Sequence, residues 1–154
     1  MMPYHAEGSR VIRAPPERVY AILTDYRNEH PRILPKPYFM SLHVDKGGIG
    51  EGTQIHFQMN VLGKTQNFRA AITEPEPGRE IDEVYIEPEG VVTRFFVRPF
   101  GQGRQSKVTI QTEGKIQSSG VFGWLERLFA TTYLHHVFRK ELELLAASAE
   151  GDRQ

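Results

Sequence analysis

The sequence contains no cysteine, which excludes a disulfide framework and a thiolate metal site. Its 19 basic and 19 acidic residues cancel, so no net charge attracts the chain to nucleic acid or to an anionic membrane. No apolar run approaches the about 20 residues that a membrane-spanning helix needs. The N-terminal stretch has neither an apolar run nor a cleavage-site pattern, so we expect no signal peptide. These absences predict a soluble cytoplasmic protein with no nucleic-acid partner and no membrane span.

The common catalytic motifs are missing as well. The 6 histidines include no HExxH pair, and no serine lies in a GxSxG turn. The segment Gly63-Lys64-Thr65 lacks the earlier glycine of a phosphate-binding loop, because Gln58 occupies that position. The glycine-rich segment 46–52 has no helix pattern after it, so it predicts a hairpin turn rather than a dinucleotide site. The sequence therefore predicts no metal ion and no cofactor, and it identifies no catalytic residue.

The longest periodic pattern lies in the last third of the chain, over residues 118–149. Its apolar residues recur in steps of three and four, as they do on one face of an α-helix. Ser118 and Ser119 predict the N-cap, and no proline interrupts the run. The face predicted to point inward consists of Trp124, Leu128, Thr131, His135, Phe138, Leu142 and Leu145. A helix of about 28 residues would be about 42 Å long, and it needs a broad apolar surface to lie across.

The preceding chain predicts one strand, two short helical segments and six further strands. Residues 4–14 have the composition of a strand, 16–24 have helical spacing, and 25–34 predict a second short helix or an irregular turn. Six later strands are predicted at 38–46, 53–61, 68–72, 80–87, 91–100 and 106–117. Because short turns join them, we expect an antiparallel meander with one apolar face. The first strand should extend this sheet by pairing with the last.

Three segments carry a resemblance to a known family. The stretch SRVIRAPPERVYAILTDY, the hairpin GGIGEGT and the terminal helix resemble the START-like (SRPBCC) superfamily. Within it, the chain is most similar to the polyketide cyclase/dehydrase and lipid-transport group, which is related to the plant Bet v 1 allergens. The resemblance covers residues 4–149. A chain of 154 residues is most simply one domain, and we expect a frayed tail at 150–154. The resemblance implies an α+β helix-grip fold, in which a curved seven-stranded antiparallel sheet wraps around the long helix and leaves a cavity between them.

The implied cavity is the candidate site, since ligand pockets are mostly apolar and carry a few polar groups. The residues predicted to line it and bind ligand are Phe57, Met59, Phe68, Tyr85, Thr93, Phe95, Trp124, Leu128, Thr131, His135 and Phe138. Simple core packing is the alternative for the apolar members. His135 and Thr131 are the predicted polar contact point, with a hydrogen-bonded core histidine as the alternative. The acids of segment 80–87 are expected on the solvent face or near the mouth of the pocket.

The opposite face of the predicted helix is also apolar. Phe129, Tyr133 and Val137 follow one another at four-residue steps, with Leu144 nearby. This is more apolar area than a solvated helix face needs. It favours a homodimer contact, a membrane-docking patch or part of a ligand portal, with scattered exposure as the remaining interpretation.

Three functions stay open at this level. The favoured one is a carrier or sensor of a small hydrophobic molecule, such as a lipid, a quinone or a polyketide-like compound. The second is an aromatase/cyclase-type enzyme in which His135, Tyr85 and Thr93 move protons. The third is a protein-interaction module that uses the outer helix face. A convergent polar set with a perturbed histidine would favour the enzyme, whereas an almost wholly apolar pocket would favour the carrier.

Overall fold

Residues 2–61, 63–116 and 120–151 are described in this computed structural model, with the side chains of 2, 116 and 121–125 left aside. In chain order the elements are β1 (Met2–Ile12), α1 (Pro16–Thr24), a 3-10 turn (His30–Ile33), β2 (Phe39–Lys46), β3 (Gln54–Val61), β4 (Lys64–Glu76), β5 (Glu80–Glu87), β6 (Val92–Phe100), β7 (Gln105–Ile116) and α2 (Gly120–Gly151). The predicted bounds of α1 are therefore confirmed, and the second helical segment is a single 3-10 turn.

Hydrogen bonds join all seven strands into one antiparallel sheet, in the order β1-β7-β6-β5-β4-β3-β2. The predicted pairing of the first strand with the last is confirmed, from Met2 opposite Ile116 to Ile12 opposite Ser106. Register shifts in the β2–β3 and β4–β5 pairs mark bulges, which bend strands locally. The curved sheet and the long helix confirm the predicted α+β helix-grip fold.

Strand β4 is longer than the sequence predicts. Pro75 indicated an early end, yet the strand continues to Glu76, which pairs with Glu80. A register shift lies between Thr73 and Glu76. Proline is tolerated at such irregular positions because no ladder hydrogen bond is required of its nitrogen.

Helix α2 lies across the sheet, and one side of its C-terminal half is buried. Leu142, Leu145, Ala146 and Ala149 are all buried there. Gly8 of β1 lets the helix come close, since a Cβ atom at Gly8 would be 3.3 Å from the Cβ atom of Phe138. The helix is packed closely against the sheet at this end, and the open space lies under its N-terminal half.

The inward face of α2 differs from the predicted stripe in its first half. Phe138, Leu142 and Leu145 are buried as expected, but Leu128 is 51% exposed and His135 is exposed. The predicted stripe repeats every 3.5 residues, whereas a straight α-helix repeats every 3.6, so the two diverge by about 20° per heptad. From Leu145 towards the N-terminus of α2, the residues that face the sheet therefore differ increasingly from the predicted ones. The side chain of Trp124 and the predicted caps Ser118 and Ser119 lie outside the described residues.

Candidate ligand-binding cavity

A cavity of about 630 Å³ lies between the inner face of the sheet and the N-terminal half of α2. Its volume is within the range of about 300–1,000 Å³ that small-molecule sites occupy. Aromatic rings form the sheet-side wall. Phe57 and Phe68 stack with their ring centroids 5.2 Å apart, and Tyr85 meets both rings edge-on at 6.0 and 5.8 Å. Most of the cavity wall is therefore flat and apolar.

The helix-side wall comes from the face that the sequence predicted to point outward. Phe129, Tyr133 and Val137 all line the cavity, and Val137 is only 1% exposed. The Tyr133 hydroxyl donates a hydrogen bond of 2.8 Å to the backbone carbonyl of Asn60 on β3. The interpretation of this set as an outer contact face is therefore wrong for Tyr133 and Val137, and Phe129 alone stays exposed. The interaction-module hypothesis loses the surface on which it depended.

The mouth of the cavity is marked by residues that line it and are also exposed to solvent. These residues are Gln66, Pro88, Lys115, Glu126 and Phe129. They come from β4, the β5–β6 turn, β7 and the beginning of α2. Phe129 is 60% exposed, so it stands at the boundary between cavity and solvent. This position is compatible with the predicted role of Phe129 as part of a ligand portal.

Polar side chains gather in the interior, on one row of the sheet. Glu83 on β5 is directly opposite Thr93 on β6, which is directly opposite Thr112 on β7. All three line the cavity, and the Thr93 and Thr112 hydroxyl oxygens are 2.8 Å apart. Tyr85, two residues after Glu83, lies on the same strand face and also lines the cavity. The sheet register thus builds a continuous polar strip inside an apolar cavity.

His30 and Tyr26 approach this strip from the segment after α1. The Tyr26 hydroxyl donates a 2.8 Å hydrogen bond to Glu83 Oε2, and the two rings of Tyr26 and His30 stack at 4.2 Å. His30 Nδ1 is 2.6 Å from the Leu23 carbonyl oxygen. Because a carbonyl only accepts, Nδ1 carries the proton and donates it. The other ring nitrogen, Nε2, faces Glu83 Oε2 at 3.7 Å.

Glu141 completes the polar interior from the helix. It lines the cavity and is 4% exposed. Burial, together with nearby Glu83, raises the pKa of Glu141 well above its usual value. Burial also raises the pKa of Glu83 to about 7, although the hydrogen bond from Tyr26 acts in the opposite direction. The site therefore holds two carboxyl groups that are protonated far more readily than carboxyls in water.

The buried histidine is uncharged at neutral pH. Burial lowers the pKa of His30 to about 4, and the bond to the Leu23 carbonyl only partly offsets that effect. The contact between His30 and Glu83 is therefore one between a neutral imidazole and a carboxyl that titrates near neutrality, rather than an ion pair. Groups with such displaced pKa values in a cavity are typical of functional sites.

The structure brings most of the predicted site residues together. Seven line the cavity: Phe57, Met59, Phe68, Tyr85, Thr93, Phe95 and Phe138. Three others, Leu128, Thr131 and His135, lie instead along a shallow surface groove beside Pro3 and His5. The Thr131 hydroxyl donates to backbone carbonyls of its own helix, so it offers nothing to the cavity. The predicted contact point at His135 and Thr131 is therefore wrong in position.

Three polar residues of the cavity, Glu83, Glu141 and His30, were not predicted from the sequence. The local sequence pattern indicates an inward direction for the two acids but not for the histidine. Glu83 shares the strand phase of Tyr85, so the inward prediction for Tyr85 already implied an inward Glu83. Glu141 follows Phe138 by three residues on the same helix side. His30 lies in an irregular segment between Asp25 and Pro31, where no periodicity gives a direction. The expectation that the acids of β5 lie at the surface or the mouth is wrong for Asp82 and Glu83, which are 8% and 7% exposed.

An antiparallel sheet that wraps around a long helix over an apolar cavity defines a START-like, helix-grip protein. The chain belongs to the family described as polyketide cyclase/dehydrase and lipid transport, whose profile matches residues 3–150. No protein of curated function matches the chain. None of the described helices is both long and apolar enough to cross a membrane.

Several solved structures share this fold. The KanY protein has 26% sequence identity and a TM-score of 0.82, with 97% of this chain and 99% of that chain covered. The protein TTHA0849 of Thermus thermophilus has 20% identity and a TM-score of 0.78, with 97% and 99% covered. The Zhui aromatase/cyclase of Streptomyces sp. R1128 has 15% identity and a TM-score of 0.74, with 96% and 94% covered. At such low identities the last two likenesses establish a shared fold alone.

Proposed function

We propose that this protein binds a small, largely hydrophobic molecule that carries one polar group. The observation behind the proposal is the cavity of about 630 Å³, in which aromatic walls surround a single polar strip. The apolar body of the ligand lies between Phe57, Phe68 and the helix, where burial of about 100 Å² of apolar surface is worth about 2.5 kcal/mol. The polar group reaches the strip of Glu83, Thr93 and Tyr85. The lipid-transport and cyclase descriptions of the family are compatible with such a ligand.

A second candidate function is an enzyme of the cyclase/dehydrase type. Its support is the meeting of His30, Glu83 and Tyr85 inside the cavity. Glu83 has a pKa of about 7, so it can both give and take a proton near neutral pH. In this function Glu83 is the group that exchanges the proton with the substrate, and His30 and Tyr26 position it. Glu83 therefore takes the proton-transfer role that the sequence predicted for His135. Tyr85 and Thr93 keep their predicted part in proton transfer.

Native mass spectrometry of freshly purified protein tests the binding function. The mass of the folded protein is compared with that of the denatured chain, and any compound released by denaturation is identified. A hydrophobic compound bound one to one supports the proposal. Protein that comes up empty and also takes up no added lipid, quinone or polyketide-like compound contradicts it.

The same compound separates a carrier from an enzyme. It is incubated with the wild type and with Glu83→Gln, and its mass is followed over time. An unchanged mass with both proteins favours the carrier. Conversion by the wild type alone favours the enzyme, because Gln keeps the shape of Glu83 but cannot exchange a proton.

The cytoplasmic location and the possible homodimer stay predictions. Phe129 at the cavity mouth is the largest exposed apolar side chain on the described part of α2, and it is the remaining candidate for a contact between copies. Size-exclusion chromatography with light scattering, at high protein concentration, tests the dimer. A strict monomer would remove that prediction without affecting ligand binding.

A further inference from the structure

The cavity buries two carboxyl groups without a matching cation. Glu83 is 7% exposed and Glu141 is 4% exposed, and both line the cavity. Lys115 is the one lysine or arginine among the described lining residues, and it stands exposed at the mouth. His30, the nearest basic group, is held neutral by burial. The inner cavity therefore presents acceptor groups and potential negative charge to whatever enters it.

Of the two carboxyl groups, that of Glu141 has fewer hydrogen-bond partners. Glu83 accepts a hydrogen bond from Tyr26. Among the described residues, no hydrogen bond or ion pair to the Glu141 carboxyl is found. Taking a carboxyl out of water without a partner is strongly unfavourable if it ionises, as it is for other buried ions. Its buried neighbours on α2 are Val137, Phe138 and Leu142, so an apolar side chain at position 141 would suit the core better than glutamate does.

We propose that Glu83 and Glu141 bind a basic nitrogen on the hydrophobic ligand, so that the ligand class is an apolar amine. This inference rests on the proposed binding function and adds the chemistry of the head group. The ligand enters as an ammonium ion, and each carboxyl that ionises releases its proton to water. An ammonium group has three N–H donors, enough to reach both carboxylates and one hydroxyl of the polar strip. Charge-assisted hydrogen bonds of this kind are about twice as strong as neutral ones.

Other head groups fit this interior less well. At about pH 8 Glu83, whose pKa is about 7, is mostly ionised, so a carboxylate head group would meet a like charge and no interior cation. A neutral alcohol can hydrogen-bond to either carboxyl but cannot compensate an ionised one. We therefore expect the order of affinity to be amine, then alcohol, then carboxylate, for ligands with the same apolar body.

The test uses three probes with one alkyl chain: n-decylamine, n-decanol and n-decanoate. Binding to the full chain is measured by isothermal titration calorimetry at about pH 8, where an alkylamine is still protonated because its pKa is about 10. All probes are kept below the concentrations at which they form micelles. We expect decylamine to bind at least about tenfold more tightly than decanol, a difference of about 1.4 kcal/mol.

Glu141→Gln and Glu143→Gln make a matched pair for the same titration. Both remove one acid from α2, but Glu143 is exposed and pairs with Lys140 on the surface. We expect Glu141→Gln to weaken decylamine binding at least about tenfold and to leave decanol within about twofold, while Glu143→Gln changes neither. Glu83→Gln should act in the same direction as Glu141→Gln.

The outcomes separate this inference from the proposed function. If decanol binds as tightly as decylamine, or if Glu141→Gln leaves the amine affinity unchanged, the amine assignment is wrong and the binding function stands. If none of the three probes binds, both proposals fail.

Discussion

The Tyr26 hydroxyl donates a 2.8 Å hydrogen bond to Glu83 Oε2 in the interior of the protein. Tyr26 is wholly buried, and its residue number is 57 positions away from that of Glu83. The bond therefore joins the segment after α1 to the middle of the sheet. It also fixes the carboxyl at the place where the polar strip meets the apolar walls of the cavity.

Tyr26→Phe removes this bond while keeping the aromatic ring. Because Glu83 then loses its donor in a buried site, we expect a loss of about 1–2 kcal/mol in the free energy of unfolding. Urea unfolding at neutral pH measures it. In the Glu83→Ala background, which has no side-chain acceptor at this position, the same change should cost less, with a coupling energy of about 1 kcal/mol between the two positions. A coupling energy of zero would mean that the two side chains do not support each other.

Because the pKa of Glu83 is raised, we expect its contribution to the free energy of unfolding to fall as the pH rises. Burial raises that pKa from its ordinary 4.5 to about 7. Since the folded state holds the proton more tightly, the stabilisation is complete below about pH 4.5 and is lost as the pH rises through about 7. We therefore expect the stability of the wild type relative to Glu83→Gln to fall by about 3 kcal/mol across that window.

Urea unfolding at several pH values, with both proteins, tests this expectation. The difference between the two proteins is needed because His30 has the opposite sign. Burial lowers the pKa of His30 to about 4, so its stabilisation is present above about pH 6.5 and is lost as the pH falls through about 4. Glu83 in turn contributes to the raised pKa values of Tyr26, Tyr85 and Glu141, so Glu83→Gln lowers all three. The two tyrosines stay protonated below pH 7 in both proteins, and Glu141 adds to the difference with the same sign as Glu83. A difference that is flat or rising with pH would contradict the account.

The orientation of α2 predicts unequal effects for two neighbouring positions. His135 is exposed, whereas Val137 is 1% exposed and lines the cavity. We expect His135→Ala to change the free energy of unfolding by less than about 0.5 kcal/mol, and Val137→Ala to lower it by about 1–3 kcal/mol. Urea unfolding of both variants decides. A large loss for His135→Ala with none for Val137→Ala would restore the inward stripe expected from the sequence.

The strands of the sheet were predictable from the sequence because their two-residue alternation is visible within a few neighbouring residues. Inward and outward residues alternate along each strand, and this is how Phe57, Thr93 and Phe95 were identified without a structure. The long helix was predictable as a helix but not in its rotation. A repeat of 3.5 and one of 3.6 residues agree near Leu145 and differ by the time they reach Leu128.

The polar centre of the cavity was the least predictable part. The side chain of His30 points inward from an irregular turn, and its hydrogen bond to the Leu23 carbonyl and its stacking on Tyr26 follow from tertiary packing alone. Acidic residues are rarely buried, so sequence reasoning places Glu83 and Glu141 at the surface by default. In the folded protein both acids are instead buried, and both line the cavity.

The most direct test of the account asks whether a ligand occupies the space under the N-terminal half of α2. Ala130 lines the cavity from the helix, whereas Thr132 is exposed on the same helix. Ala130→Trp fills the cavity, and Thr132→Trp adds the same ring on the outside. The affinity for n-decanol is measured by calorimetry with the wild type and both variants. We expect Ala130→Trp to weaken binding at least about tenfold and Thr132→Trp to leave it unchanged, since only the first removes space from the site. Equal affinity in all three folded proteins would show that the ligand binds elsewhere.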